Sequence, residues 1–314
     1  MLKKFIARLN LVDWLNYVYF GYLTVALVVN SDAVPFAGWL FLAHLLYLTI
    51  LTLLAAKTRP DSSPFLKFIR TFYQVMCITF IYRETEFFMR LYHGHWLDPL
   101  VASFELKIFG VYPNLWLERI SKPALTELLK FCYSSYFFLI PLVPIYLWFR
   151  KRSKGFYYYM FASTLSLYVC YVGFTLFPVQ GPRYYFASAM PAGDLMLFPW
   201  EPNPLGLFFK QTHLHGYLFT WFVDRVMQSA DAVGACIPSA HVAASVVILG
   251  VFGRFIKKGF PVALFLVTGV IVSTVYNRYH YVTDMVAGMA VGLVVLAIAD
   301  AVFRGDRDYH YIKP

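Results

Sequence analysis

His280 and Asp284 are the pair in this chain best placed to do chemistry. They lie four residues apart in STVYNRYHYVTDMVAG, 273–288, so a helical stretch puts both on one face, where the carboxylate can fix the imidazole tautomer and balance its cation. An imidazole held in this way can attack an electrophilic centre. The pair falls between two apolar runs, 260–276 and 282–303, where an ionisable dyad is costly unless it is used. A second stretch, GACIPSAHVAAS at 234–245, places Pro238 where it suits the first turn of a helix. Ser239 and His241 follow it directly. The helix start then offers backbone donors and a positive dipole end to an anion. In a third stretch, FPVQGPRYYF at 177–186, a Gly-Pro turn presents Arg183, whose planar fork can grip two phosphate oxygens. Arg278, two residues before His280, supplies a further guanidinium.

Other ionisable residues compete for a role. Arg83, Glu84 and Glu86 sit near the far end of an apolar run. Arg83 and Glu86 are spaced to pair on a helix, and the cluster is expected either to border the substrate region or to lock its helix to a neighbour. His93 with His95 and His213 with His215, together with Glu84, Glu86 and Asp98, include the donor types of a hydrolytic zinc site. Such paired histidines in amphipathic segments are more often solvated, so no metal or other cofactor is expected. His44 and His310 are expected to be structural or exposed.

The composition says what must position these groups. With 60% hydrophobic residues, 14% charged residues and a mean hydropathy of +0.59, the chain is an integral membrane protein embedded in the bilayer. Its 24 Tyr and 31 Phe suit interfacial belts and a lipid-facing surface. The net charge of +10 does not point to nucleic acid, because the basic residues form short clusters between apolar runs and read as topology signals. Cys77, Cys132, Cys170 and Cys236 are scattered through apolar surroundings, which implies neither a disulfide framework nor a thiolate metal site.

An all-α polytopic fold with about eight transmembrane helices follows from the apolar runs at 14–30, 36–56, 65–91, 126–148, 156–177, 238–256, 260–276 and 282–303. Residues 93–130 read as an amphipathic surface helix followed by a loop, and 178–237 as a long polar excursion with an amphipathic candidate at 213–229. The chain is expected to be one membrane domain, 1–314, in which 1–150 carries four spans and 151–314 carries the motifs. An even number of spans puts both termini on one side. The short basic clusters at Lys3, Lys4, Arg8, Arg150, Lys151, Arg152, Lys154, Arg254, Lys257 and Lys258 mark that side as cytoplasmic. The three motifs then meet at the extracytoplasmic face.

In chain order, Arg183, then Ser239 and His241, then His280 and Asp284 resemble the type 2 phosphatidic acid phosphatase (PAP2) superfamily, from Phe177 onward. Its PSGH motif is similar to Pro238, Ser239, Ala240 and His241, and its third motif aligns Ser273, His280 and Asp284. Thr274 stands where the family has an arginine, and the lysine of the first motif is absent. The string STVYNRYHYVTD looks more like the inositol phosphorylceramide synthase branch. The resemblance implies a six-helix catalytic core and a two-step displacement without metal. His280 would form a phosphohistidine, Asp284 would orient it, and His241 would protonate the leaving oxygen and then deprotonate the acceptor. Arg183, Ser239, Arg278 and the helix-start amides would bind phosphate. The substrate class is a membrane lipid phosphate ester, with an alcohol or water as acceptor. A site short of one lysine matches a singly charged phosphodiester better than a monoester, which favours head-group transfer. The other readings are a PAP2-type lipid phosphate phosphatase and, outside the resemblance, a metal-dependent membrane hydrolase or a non-catalytic lipid-binding protein.

Overall fold

The computed structural model describes residues 6, 8–59, 61–188, 203–211, 213–230 and 232–305. His310 and several of the terminal basic residues, Lys3, Lys4 and Arg307 among them, lie outside the described residues. Among the described residues every regular element is helical. The long helices are α1 (Leu11–Val29), α2 (Ala37–Lys57), α3 (Pro64–Glu84), α6 (Pro123–Phe149), α7 (Ser153–Leu176), α10 (Ala240–Phe255), α11 (Phe260–Tyr276) and α12 (Val282–Val302). Between them lie α4 (Asp98–Phe109), α5 (Pro113–Trp116), α8 (Pro182–Tyr185) and α9 (Leu218–Ala230).

Six of these, α1, α2, α6, α7, α11 with the short turn before it, and α12, are long and apolar enough to cross a membrane. The chain is therefore a multi-pass membrane protein. The other two expected spans are helical too, each with a reason for falling short. α10 has 16 residues, because the Pro238 turn starts it late and the Ile256 turn ends it. α3 carries Lys67, Arg70, Arg83 and Glu84, and it stops at Glu84 instead of running on to residue 91. There it tightens into a 3-10 turn, Thr85–Phe88. The buried Arg70 explains part of this polarity: its Nη1 donates to Asp13 Oδ1 at 2.8 Å, and Tyr73 donates to the same oxygen at 2.9 Å. Asp13 also caps α1, accepting from the Asn10 amide at 2.8 Å, so one carboxylate starts α1 and fastens it to α3.

α7 is the hub. Most of its residues from Gly155 to Thr175 are buried, and α10, α12, α1 and α6 pack around it. α11 lies against α6 and α10, and α9 lies along α6. Large apolar side chains such as Val25, Trp39, Phe80 and Leu293 point outward, as a surface solvated by lipid tails requires. The site is built where the N-terminal ends of α10 and α12 meet. Gly288 makes that meeting possible, because a Cβ there would lie 2.5 Å from the Ser239 carbonyl oxygen. Glycine in a helix interior costs about 1 kcal/mol relative to alanine, and here the cost lets the two backbones touch.

Candidate active site

Asp284 sits in the first turn of α12, where its Oδ2 accepts the Tyr281 amide at 2.9 Å and caps the helix. The same oxygen lies 3.5 Å from His280 Nδ1. One carboxylate therefore starts the helix and faces the imidazole, but His280 lies in the turn before α12 and not on the helix face that the four-residue spacing suggested. The turn carrying His280 is fixed from behind. Asn114 on α5 donates to the carbonyls of Val275 and His280 at 3.0 and 3.1 Å, and the Tyr279 and His280 amides both donate to the Thr274 carbonyl at 3.0 Å. Thr274 is fully buried and gives its hydroxyl to Ile271. It serves the turn and does not replace a phosphate-binding arginine.

His241 is the second residue of α10. Its Nε2 pairs with the Tyr133 hydroxyl at 2.9 Å, and its ring packs against Tyr136 with centroids 4.7 Å apart. Its Nδ1 is buried with no hydrogen-bond partner. The His241 and His280 rings are 5.7 Å apart, centroid to centroid, and inclined at 61°. Both line one pocket, with about 370 Å³ of atom-free space that includes its open mouth. Arg183, Gln180, Tyr82, Tyr133, Tyr279 and Cys236 are also in its walls. The two rings meet edge to face on the same pocket wall as Arg183.

Arg183 reaches this pocket through a stitched turn. Its amide donates to the Arg278 carbonyl at 2.9 Å, which ties the start of α8 to the His280 turn. Gly181 precedes it at φ +94°, a left-handed conformation that favours glycine. Asp98, at the start of α4, holds this turn from the far side: its carboxylate accepts the Gln180 amide at 2.8 Å, the Gly181 amide at 3.0 Å and the Tyr281 hydroxyl at 3.0 Å. Burial pushes Asp98 up to about 7 against the pull of these three donors. Glu105, further along α4, accepts the Thr283 amide at 2.7 Å and the Thr283 hydroxyl at 3.1 Å, and burial likewise raises it to about 7. Asp98 and Glu105 are thus positioning residues; the sequence offered Asp98 only as a possible zinc donor and Glu105 only as part of an amphipathic helix.

Several expected site residues lie elsewhere. Arg278 is not in the pocket wall. Its fork is taken by Glu118 at 2.7 Å and the Gln211 carbonyl at 2.6 Å, and it stacks 3.9 Å over the Phe209 ring. A φ of +66° at Arg278 turns the chain so that the side chain leaves the pocket while the backbone carbonyl holds Arg183. Ser239 is buried and acts as the N-cap of α10, and its amide donates to the Asp284 carbonyl at 3.1 Å, so it joins the two helices. Arg83 and Glu86 form the i, i+3 pair at 3.0 Å, but with Glu84 they line a separate, mostly apolar groove between α1, α2 and α3, with about 1290 Å³ of atom-free space that likewise includes its open side. Glu84 pairs there with the buried His44. Their neighbour Tyr82 reaches the pocket lined by the two histidines.

The histidine pairs do not assemble a metal site among the described residues. His93 Nε2 lies 3.1 Å from the Leu176 carbonyl, and Asp98 is consumed by the Gln180 turn. The His/Cys/Asp/Glu group close enough to hold an ion is a different one: Cys236, His280 and Asp284. Cys236 Sγ is 2.7 Å from Asp284 Oδ2 and 3.5 Å from His280 Nδ1. Burial, then the Asp284 charge, pushes its thiol well above the ordinary range. The sequence placed Cys236 among four scattered cysteines that implied no thiolate site, and the available signal was its place two residues before Pro238. Lys130 was missed as well. It sits on α6 and donates to Asp224 and to the Tyr279 hydroxyl, both at 2.6 Å, which steers a tyrosine of the pocket wall.

Comparison with known proteins adds one finding. A family model described as the PAP2 superfamily matches residues 108–298, more than half of the chain. No curated protein and no solved structure matches it.

Proposed function

Because this chain belongs to the PAP2 superfamily, whose members are in general lipid phosphate phosphatases and phosphotransferases, we propose that it is a phospholipid head-group phosphotransferase working through a phosphohistidine, as in the inositol phosphorylceramide synthase branch. The observation that carries this reading is the pair of histidine rings 5.7 Å apart on a pocket shared with Arg183.

In the first step the Nε2 lone pair of His280 attacks phosphorus, and the bond to the leaving lipid alkoxide breaks. His241 enters as the imidazolium and gives one proton to that oxygen, which leaves a neutral ring with Tyr133 beside Nε2. The phosphoimidazolium formed on His280 keeps its Nδ1 proton facing Asp284, which balances the new charge. In the second step an acceptor hydroxyl attacks phosphorus, its proton passes to His241, and the P–N bond breaks to restore neutral His280. Arg183 stabilises the equatorial oxygens in both steps.

The choice of a diester rests on charge. Arg183 is the only Lys or Arg among the described residues of the pocket wall. Lys130 is neutralised by Asp224 and Arg278 by Glu118. One guanidinium beside the histidines matches a phosphodiester carrying one negative charge better than a monoester carrying nearly two. The groove bordered by Arg83, Glu84 and Glu86 takes an acyl chain, with the Arg83–Glu86 pair at the head-group level. The pocket opens on the extracytoplasmic side and the termini are cytoplasmic, as the basic clusters require. The test is incubation with labelled glycerophospholipids, with and without a long-chain alcohol or ceramide acceptor. Acceptor-dependent head-group transfer with release of diacylglycerol is the expected result. Release of phosphate from a monoester at the same rate with or without acceptor would make the protein a phosphatase.

A further inference from the structure

Cys236 has no part in the chemistry above, yet no side chain is set more tightly against the dyad. Its sulfur, His280 Nδ1 and Asp284 Oδ2 form a triangle with edges of 2.7, 3.5 and 3.5 Å, and the three residues are 3%, 3% and 0% exposed. Each comes from a different segment: the loop before α10, the turn after α11 and the first turn of α12. Sulfur, imidazole nitrogen and carboxylate oxygen are the donors that a thiophilic d10 ion selects. Zinc bonds of about 2.3 Å to sulfur and 2.0 Å to nitrogen or oxygen, arranged tetrahedrally, need donor separations near 3.5 Å. Two edges already have that length, and the third needs to open by less than about 1 Å.

We propose that Cys236, His280 and Asp284 form a binding site for a thiophilic divalent metal ion, Zn²⁺ or Cd²⁺, that switches the catalytic histidine off. Cys236 and His280 both line the pocket, which gives the ion an entry path. On binding, the Cys236 thiol releases its proton to solvent, and thiolate plus carboxylate neutralise the two positive charges, which keeps burial of the ion tolerable. The ion takes the lone pair of His280 Nδ1, so the imidazole proton must sit on Nε2. A protonated Nε2 has no lone pair with which to attack phosphorus. Asp284 is captured at the same time and no longer serves the imidazolium. Metal binding itself needs only the geometry, whereas its inhibitory effect rests on the proposed role of His280.

The experiment uses the purified full chain in detergent. Titration with Cd²⁺ should give an ultraviolet thiolate-to-cadmium band that saturates at one equivalent, and Cys236→Ser should lack it, although Cys77, Cys132 and Cys170 remain. The Zn²⁺ concentration that halves turnover should rise at least tenfold in the same variant. A band that survives in Cys236→Ser overturns the site, and a band lost there while Zn²⁺ inhibits both proteins equally overturns the switch. Should the variant fail to fold, X-ray absorption of the parent protein with one equivalent of Zn²⁺ decides: one sulfur with nitrogen and oxygen neighbours supports the site, and a shell without sulfur overturns it. A cadmium band lost in Cys236→Ser alongside metal-insensitive turnover in the parent keeps the metal site and overturns His280 as nucleophile.

Discussion

Substituting Gly288 by alanine tests whether the touching ends of α10 and α12 set the catalytic geometry. The new Cβ would sit 2.5 Å from the Ser239 carbonyl oxygen and 3.1 Å from both Ser239 Cβ and Val242 Cβ. To restore an ordinary 3.4 Å contact the carbonyl must retreat by about 0.9 Å, from 3.4 minus 2.5. That carbonyl belongs to the N-cap of α10, two residues before His241, and the Ser239 amide is bonded to the Asp284 carbonyl. Separating the helices here moves His241 away from His280. A misplacement of about 1 Å at a reacting pair costs on the order of 100-fold in rate. Overpacking costs about 1–3 kcal/mol, and the better helix propensity of alanine returns about 1 kcal/mol, so the net loss of stability is small. Gly292→Ala is the control. Its Cβ would meet Val246 Cβ at 2.7 Å and the Ala243 carbonyl at 2.8 Å, one turn deeper along the same contact. Turnover and thermal melting measured on both variants should show similar melting temperatures, with a loss of about 100-fold for Gly288→Ala and under about tenfold for Gly292→Ala. Parent-like turnover in Gly288→Ala, or equal inactivation of the two, would refute the reasoning.

The two histidines should separate by leaving group. A nitrophenyl phosphodiester, which leaves without a proton, should recover most of the roughly 10²–10⁴-fold lost in His241→Ala but leave His280→Ala inactive, and equal rescue of both would show the roles are misassigned. Tyr133→Phe removes the hydroxyl on His241 Nε2 and should lower kcat with KM little changed, while a pure packing role would leave both unchanged. Glu86→Gln breaks the Arg83 pair. Lost turnover at unchanged melting temperature supports an acyl-chain groove, and lost folded protein supports a helix lock. For Glu105, whose carboxyl moves from 4.5 to about 7 on folding, the folded state binds the proton more tightly than the unfolded chain. Its contribution to stability is therefore full at low pH and falls as pH rises from about 4.5 to 7. The melting temperature of the parent minus that of Glu105→Gln should decline across that window, and a difference that rises with pH would contradict the assignment.

What the sequence disclosed was whatever rests on local spacing. The His280–Asp284 spacing, the Pro238 helix start and the apolar runs are properties of a few consecutive residues; the runs became helices, although α3 stops at Glu84, while Pro238 falls just before the N-cap of α10 and His280 in the turn before α12. The reading of Arg278 erred because its side chain is claimed by Glu118, 160 positions away in the chain, and by a left-handed backbone that no local pattern announces. Lys130 went unread for the same reason, and Asp98 and Cys236 were weighed only for metal binding. Their partners come from other helices, and a cysteine in an apolar setting, a lysine in a span or an aspartate at a helix start carries no mark of what it will touch. Ser239 was found at the right place with a different job, since the hydroxyl that would greet an anion at a helix start is also the one that caps it.

The wall of the pocket draws on both halves of the chain. Tyr82 and Tyr133 come from the first 150 residues, and Arg183, His241 and His280 from the remainder. Asp98, also from the first half, clasps the turn on which Arg183 stands. The motif-bearing half made alone would keep the backbone tie from Arg183 to Arg278 but lose the Asp98 clasp on the Gly181 turn and the Tyr133 contact to His241. The amino-terminal helices therefore act as an assembly jig that stays in the finished tool. Fragments 1–150 and 151–314 should each be inert and regain turnover only when made together in one membrane.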